Sequence, residues 1–521
     1  MTGKATYIHR CVALLTAVIC ISSLTGCTST SSAPETDSHS NARIELPNYY
    51  ASGMVLQRGK TIHIRGTVSG SNSGRAQVTA RLVRGNKQYE ATATANAKQR
   101  FDIPLTDVPA HTSAYTLAFL MSGQVLRTIR NVYVGDVFIA AGQSNMELNK
   151  AGYYTQPEAF NANAGGLFTA ASLPQTVNDK NIHFIIAKHT VSGKQFPLAS
   201  VNQNGWLPAT ATNSQYLGYL PQFFAKRLRE QSPNVPIGII QTAWGGTNIS
   251  RHLKTGDIYA NHIAPLEGYG IAGILWYQGE DDAAEQAPAL QYEAKFVALI
   301  NQYRSLFGQQ ELPFLYVQLA RYTGYQYTPI VRQAQYDILH SETVNTTKNL
   351  AMVVSIDTDK GTSKIIHPLG KEILASRMAS QWHAMQQGAN TPSGPQAKSA
   401  TPVDADNSTV TIDFYEHTAE GLVARRPNYT LDATTTNLTA PATTPLQGFE
   451  VAGIDGIFHP ATATIKQGKQ VVLHSDAVPT ITQVRYLWNG APSGQSLLCN
   501  SDMLPASPFL LAVKTTSVQL R

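Results

Sequence analysis

The chain is poor in charge, in cysteine and, after its first 27 residues, in long apolar runs. Charged residues are 14% of the 521, and the net charge is +6. So slight a surplus forms no basic stripe of the kind that grips a phosphate backbone, and no nucleic-acid partner is expected. Four cysteines, at positions 11, 20, 27 and 499, are too few for a disulfide framework. The 14 histidines contain no His-Glu-x-x-His, and no paired-cysteine spacing occurs, so neither a metal nor another cofactor is expected. No segment of the body approaches the ~18 consecutive apolar residues of a membrane-spanning helix. No internal repeat points to a solenoid. What is present is an ordinary apolar content, 43%, which excludes a wholly disordered chain. The length has room for about three or four domains.

Residues 1–26 have the form of an export signal. Lys4 and Arg10 lead into an apolar run from Cys11 to Leu24 that is too short to span a bilayer comfortably. The run ends in Leu24-Thr25-Gly26-Cys27, which resembles a bacterial lipobox. On that reading cleavage leaves Cys27 as the lipidated N-terminus, and Thr28 in place of Asp resembles proteins sent to the outer membrane of double-membraned bacteria. The expectation is an exported lipoprotein held to the membrane by the lipid on Cys27, facing the periplasm or the cell surface. Residues 27–43, rich in Ser, Thr, Asn and Pro, bury no apolar surface and form a flexible tether. With Cys27 acylated, Cys499 has no disulfide partner, and stability rests on buried cores.

Three grammars follow along the folded body. From 44 to 131, short runs alternate apolar and polar residues (61–65, 77–83, 115–119) between Gly, Ser and Asn clusters, which predicts an N-terminal β-sandwich. From 132 to 388, wholly apolar runs at 137–141, 182–187, 237–242, 271–277, 314–318 and 352–356 alternate with helical stretches near 216–231, 258–265, 290–306, 330–340 and 371–385. Strands apolar on both faces with helices between them predict an α/β domain, a parallel sheet flanked by helices. Such a sheet carries its site past the carboxyl ends of its strands. From 389 to 521 the chain turns polar and alternation returns at 410–414, 470–474 and 482–488, a C-terminal β-rich region, with a low-complexity loop at 432–445.

Four strand ends hold groups with chemistry. The first runs Ala141-Gly142-Gln143-Ser144-Asn145-Met146-Glu147 and sets a serine at the crevice edge, a nucleophile if a base reaches it. Alone, Gly142-Gln143-Ser144-Asn145 would read as a turn with a helix N-cap serine. The second, Trp244-Gly245-Gly246-Thr247, lets backbone N–H groups approach a ligand closely, as a developing oxyanion requires. The third, Trp276-Tyr277-Gln278-Gly279-Glu280, delivers an amide that could donate to an oxyanion and a carboxyl that could orient a base. The fourth, Ile366-His367-Pro368, supplies an imidazole able to take a serine proton and return it to a leaving alcohol.

Together these motifs resemble the SGNH (GDSL-type) hydrolase superfamily and, within it, the sialate O-acetylesterase family. The likeness extends from Met54-Val55-Leu56-Gln57-Arg58, through Arg332-Gln333-Ala334-Gln335, to Val484-Arg485-Tyr486-Leu487-Trp488 and Leu504-Pro505-Ala506-Ser507-Pro508-Phe509. It implies an SGNH-type, flavodoxin-like sheet and a serine esterase that removes O-acetyl groups from carbohydrate, typically sialic acid. Carried over by motif, Ser144 is the nucleophile and His367 the general base. The Ser144 N–H, a glycine N–H at Gly245 or Gly246 and the Gln278 side chain form the oxyanion hole, with Gln143 beside them. Many SGNH enzymes place an Asp three residues before the His, and here that residue is Lys364. The acid is therefore Glu280, Asp357 or Asp359, or backbone carbonyls orient the imidazole in a Ser–His dyad. Many relatives follow the Gly-Gly-Thr turn with an acidic residue and Trp, where this chain has Asn248-Ile249-Ser250-Arg251-His252. An acidic sugar would favour a nearby arginine, for which Arg251, Arg321 and Arg332 are the candidates. Two other readings stand beside this one: a deacetylase of xylan or another glycan, and a surface glycan-binding lipoprotein whose enzyme fold is inactive.

Overall fold

The computed structural model describes residues 41–70, 75–154, 173–189, 198–199, 205–345, 349–427, 438–441, 445–492 and 496–514. The export signal, Cys27, the tether up to residue 40 and most of the 432–445 loop lie outside the described residues.

The N-terminal region supplies β1 (Arg43–Glu45), β2 (Val55–Gln57), β3 (Ile62–Ser69), β4 (Gln77–Arg84), β5 (Lys87–Thr94), β6 (Arg100–Leu105), β7 (His111–Met121) and β8 (Gln124–Gly142). One antiparallel sheet runs β1–β3–β6, and β5–β4–β7–β8 pair antiparallel in another. The alternating pattern does what it predicts: Ile62 and Ile64 of β3 and Val78, Ala80 and Leu82 of β4 are buried, while His63 points outward. Phe101 of β6 meets Phe119 of β7 with ring centroids 6.3 Å apart.

β8 is the element on which the molecule is assembled. It pairs antiparallel with β7 up to Val134, parallel with β2 at Tyr133–Gly135, and then enters a second sheet. The expected boundary between 131 and 132 thus falls inside one continuous strand. That sheet continues with β9 (Asp179–Ala187), β12 (Ile237–Gln241), β13 (Gly273–Tyr277), β14 (Phe314–Val317) and β15 (Leu350–Val353). Its order is β9–β12–β8–β13–β14–β15, all parallel. Two short strands, β10 (Leu198–Ala199) and β11 (Leu207–Ala209), pair antiparallel with β9 and make the sheet mixed. β12, β13, β14 and β15 are buried at every position, which is why each reads as an unbroken apolar run.

The helices are α1 (Ser144–Glu147), α2 (Lys150–Tyr154), α3 (Tyr219–Gln231), α4 (Gln286–Leu306), α5 (Thr328–Leu339) and α6 (Lys371–Gln386). Phe138 of β8 stands edge-on to both Phe224 of α3, at 4.9 Å, and Trp382 of α6, at 4.8 Å, so these two helices cover one face. Phe296 of α4 packs on Trp276, Phe314 and Tyr316 of β13 and β14. Phe138 and Trp276 point to opposite faces of the paired strands, so α4 lies on the face opposite α3 and α6. One expected helix is corrected: 258–265 is a π-turn at Tyr259–Ile263 followed by a 3₁₀ turn at Ala264–Leu266. Pro265 has no N–H to continue an α-helical ladder.

The C-terminal region forms three small antiparallel sheets. Ala397–Pro402, Thr409–Phe414, Gln470–His474 and Thr462–Lys466 make the first in that order. Phe458–Pro460, Phe449–Ala452, Gln483–Tyr486 and Phe509–Ala512 make the second, and Leu438–Pro441, Val423–Pro427 and Leu497–Cys499 the third. Cys499 is a free, buried thiol.

β8 ends on Gly142 at φ +123°, where a Cβ would stand 2.2 Å from the Tyr277 carbonyl oxygen of the neighbouring strand. Any side chain there meets both backbone strain and a fixed atom. Gly142→Ala is expected to lower stability by about 3 kcal/mol, read as a fall in the thermal midpoint; an unchanged midpoint would mean that this turn is not held as described.

Candidate active site

The carboxyl ends of β8, β12 and β13 lie side by side, with Gly142 opposite Tyr277 and the turn after β12 bonded to Gly142. Trp244 N–H donates to the Gly142 carbonyl at 3.0 Å and Gln143 N–H to the Tyr277 carbonyl at 2.9 Å. Ser144 therefore opens the single-turn helix α1 at the mouth of the sheet, half-buried. Gly245 packs directly on it: a Cβ on that glycine would lie 3.2 Å from the Ser144 Cβ.

Asn145, 1% exposed, ties the serine's turn to the histidine's loop. Its Nδ2 donates to the Ile366 carbonyl at 2.9 Å and to Glu280 Oε1 at 2.5 Å. Its Oδ1 accepts from Lys371 Nζ at 2.8 Å, and the same ammonium donates to the Pro368 carbonyl at 2.9 Å. Tyr153 Oη adds a bond to the Pro368 carbonyl at 2.9 Å. Residues beside Ser144 thus hold the backbone on both sides of His367.

Burial governs the protonation of this group. Desolvation lifts the Glu280 carboxyl to about 7, against the opposing hydrogen bond from Asn145. Desolvation drops the Lys371 ammonium to about 7, with Glu280 and Glu372 opposing. His367 is pushed down to about 4, first by burial and then by the Lys371 charge, so its ring is neutral at ordinary pH and able to accept a proton.

The expected oxyanion donors meet a more mixed arrangement. Gly245 N–H donates to Glu147 Oε2 at 2.7 Å. Gly246, at φ +65°, faces open space, with no atom within 4 Å of where a Cβ would stand. Gln278 does not aim its amide outward: its Nε2 donates to the Thr247 carbonyl at 3.0 Å and to Asp282 Oδ2 at 2.6 Å. Asp282 also accepts from Ile249 N–H at 2.9 Å, and burial lifts its carboxyl to about 6. Gln278 and Asp282 thereby brace the 247–249 turn. The buried Gln143 accepts from the N–H groups of Gly279 and Asp281, each at 3.3 Å, and braces the 279–281 turn in the same way.

The candidate acids are likewise engaged. Asp357 holds Arg377 with two bonds of 2.8 and 2.6 Å, and Asp359 holds Arg321 with bonds of 3.0 and 3.1 Å. Glu280 is the one of the three whose partner, Asn145, adjoins Ser144. The arginines considered for an acidic sugar also have other work. Arg332 is wholly buried and donates to the carbonyls of Leu319, Ala320, Asn489 and Gly490. Arg251 is bidentate on Asp257 at 3.0 and 2.7 Å, with its guanidinium 4.6 Å from the Trp244 ring centre.

Residues without an assigned role in the sequence complete the site. Glu147 accepts from His189 Nε2 at 2.9 Å, and the His189 ring stacks on Trp244 at 4.3 Å and 7°. Asn145 and Glu147 sit within the quoted serine motif, and Lys371 follows His367 by four residues, so proximity to the motifs was the one signal available.

A family model described as carbohydrate esterase, sialic acid-specific acetylesterase, matches residues 134–380. The sialate O-acetylesterase of Homo sapiens is 27% identical over 286 residues, 44% of this chain and 52% of that protein. The protein of the same name from Mus musculus is 24% identical over 464 residues, 74% of this chain and 79% of that one. The match thus spans about half the length of the human relative. Among solved structures, a carbohydrate acetylesterase from Xanthomonas citri superposes with a TM-score of 0.71 at 28% identity, covering 91% of this chain and 100% of that one.

After burial, the charge of Lys371 holds the His367 pKa down. Lys371→Met is expected to raise that pKa from about 4 toward the ordinary imidazole value, read by an NMR titration of the His367 ring. A His367 pKa that does not move would remove Lys371 from the electrostatics of the site.

Proposed function

We propose, from the match of residues 134–380 to the sialic acid-specific acetylesterase family of carbohydrate esterases and the likeness to sialate O-acetylesterases and a carbohydrate acetylesterase, that the chain is an ester hydrolase that removes O-acetyl groups from carbohydrate through an acetyl-Ser144 intermediate. The observation that carries the reading is the Asn145 amide, which joins the residue after Ser144 to the carbonyl before His367. Two groups 223 positions apart in the chain are thereby held in one neighbourhood by a buried bond.

In this reading Ser144 Oγ attacks the acetyl carbonyl carbon while neutral His367 takes the hydroxyl proton. The tetrahedral oxyanion is met by the Ser144 N–H and by Gly246, the glycine of the pair whose N–H Glu147 does not take. The C–O bond to the sugar breaks, and His367 returns its proton to the departing alkoxide. Water then attacks acetyl-Ser144, giving one proton to His367; the Ser144 Oγ–C bond breaks, His367 returns that proton to Ser144 Oγ, and acetic acid leaves and ionises to acetate. Glu280, Asn145 and Lys371 position the two segments. The Asp357 and Asp359 carboxylates each bind an arginine, which supports Glu280 or a dyad over either aspartate as the orienting group.

The sugar admits a second reading. Arg321 and Arg251 are each bidentate on an aspartate and Arg332 on backbone carbonyls. An arrangement with these three cations already engaged suits a neutral glycan, such as acetylated xylan, as well as an acidic sialate. Acetate release from the two substrates separates them.

Two outcomes are expected. Ser144→Ala lowers turnover of an acetyl ester reporter by at least about a thousandfold; full activity in that variant removes Ser144 from the mechanism. In the wild type, the acidic limb of kcat/KM falls near pH 4, since protonated His367 cannot accept the serine proton and the ring is held near that value by burial and Lys371. A limb near the ordinary imidazole value would show a wetter site than the one described.

A further inference from the structure

A concavity lies between the 323–330 segment and residues 488–491 of the C-terminal region. It is a groove of about 590 Å³ walled by Tyr325, Tyr327 and Trp488 and edged by Thr323, Gln326 and Asn489. Its position is fixed by bonds to the site segments. Tyr327 N–H donates to the Ala283 carbonyl at 3.3 Å, three residues past Glu280, and Thr323 N–H donates to the Ser363 carbonyl at 3.1 Å, four residues before His367. The far wall is held by buried arginines, with Arg332 on the Asn489 and Gly490 carbonyls and Arg321 on that of Pro492. Tyr322 N–H donates to the Gly490 carbonyl at 2.9 Å, and the rings of Tyr322 and Tyr325 meet edge-on at 5.1 Å. The ionisation of Tyr325 is raised first by burial and also by Asp281 and Glu280, so the groove is in electrostatic reach of the site.

The lining is unusual in what it omits. Among the described residues no Lys, Arg, Asp or Glu lines the groove, while three half-buried aromatic rings and three uncharged hydrogen-bonding side chains do. Such rings offer flat apolar faces with polar tips, and the amides and hydroxyl offer donors and acceptors at the rim. A carboxylate placed there would meet no cationic lining residue and would lie within reach of Asp281 and Glu280. A pyranose ring has the matching chemistry: apolar C–H faces, a rim of hydroxyls and no charge.

We propose that this groove is a glycan subsite that seats a neutral pyranose adjoining the acetylated sugar. The inference rests on the esterase reading above and narrows its substrate to an oligosaccharide that extends across the C-terminal region. On this arrangement that region is a part of the substrate site as well as a support for the sheet.

The test compares the full chain with Trp488→Ala and Tyr325→Ala on two substrates. KM for acetylated xylotetraose is expected to rise about tenfold, with kcat/KM for p-nitrophenyl acetate unchanged, and Trp488→Phe is expected to restore the oligosaccharide KM. An oligosaccharide KM that does not change, or a loss shared equally by the small ester, overturns the subsite. Binding separates this from failure of the esterase reading. Unacetylated xylotetraose should bind the wild type and Ser144→Ala alike and be lost in Trp488→Ala by calorimetry, whatever the hydrolytic result. Absence of binding to the wild type overturns the proposal, as does equal competition by tetragalacturonate, whose carboxylates the uncharged lining should reject.

Discussion

Everything at the mouth of the sheet depends on one buried side chain, the amide of Asn145. A side-chain amide is neutral and both donates and accepts in fixed directions. Here the donor end serves Glu280 and the Ile366 carbonyl, and the acceptor end serves Lys371. A carboxylate at 145 would turn acceptor against acceptor, and an aliphatic residue would leave a buried carboxyl and a buried ammonium without their bridge. The ends of β8 and β13 and the loop before α6 thus share one hydrogen-bonding centre, although they come from three distant parts of the chain.

The charges around that centre are kept buried in two different ways. Asp357 and Asp359 face arginines in bidentate pairs, and at Asp359 the Arg321 charge opposes the rise that burial imposes on the carboxyl. Glu280 and Asp282 face amides, and burial lifts their carboxyls to about 7 and about 6 against those hydrogen bonds. The first kind of pair fixes the framework behind the sheet. The second kind lies next to the reacting centre, where a group able to change its proton near neutral pH is chemically useful. His367 shows the complementary effect: burial and a neighbouring cation hold it neutral, the state in which a base works.

The flanking β regions hold the site from outside. β8 begins as a strand of the N-terminal sheet and ends at Gly142, so that sheet and the serine's turn are parts of one extended segment. On the other side, Arg332 and Arg321 bind carbonyls of the 489–492 loop and draw the C-terminal region onto the ends of β14 and β15. Guanidinium groups suit this use because their donors fan out in a plane and can satisfy several carbonyls at once.

What the residues fixed without help was the parallel sheet, because strands covered on both faces must be apolar at every position and announce themselves as unbroken runs. The serine and histidine motifs were legible for a related reason: each follows such a run, so its place at a strand's carboxyl end comes with the strand. The continuity of β8 was hidden, because its first half alternates on a half-exposed sheet and its second half is wholly buried, two patterns that read as two elements. Hidden too were the bridge from Asn145 to Lys371 across 226 positions and the capture of Gln278 and Gly245 N–H by Asp282 and Glu147. No periodicity links such residues. Only the packing of distant strand ends decides which buried donor meets which acceptor, and there the tertiary structure settled what the order of residues left open.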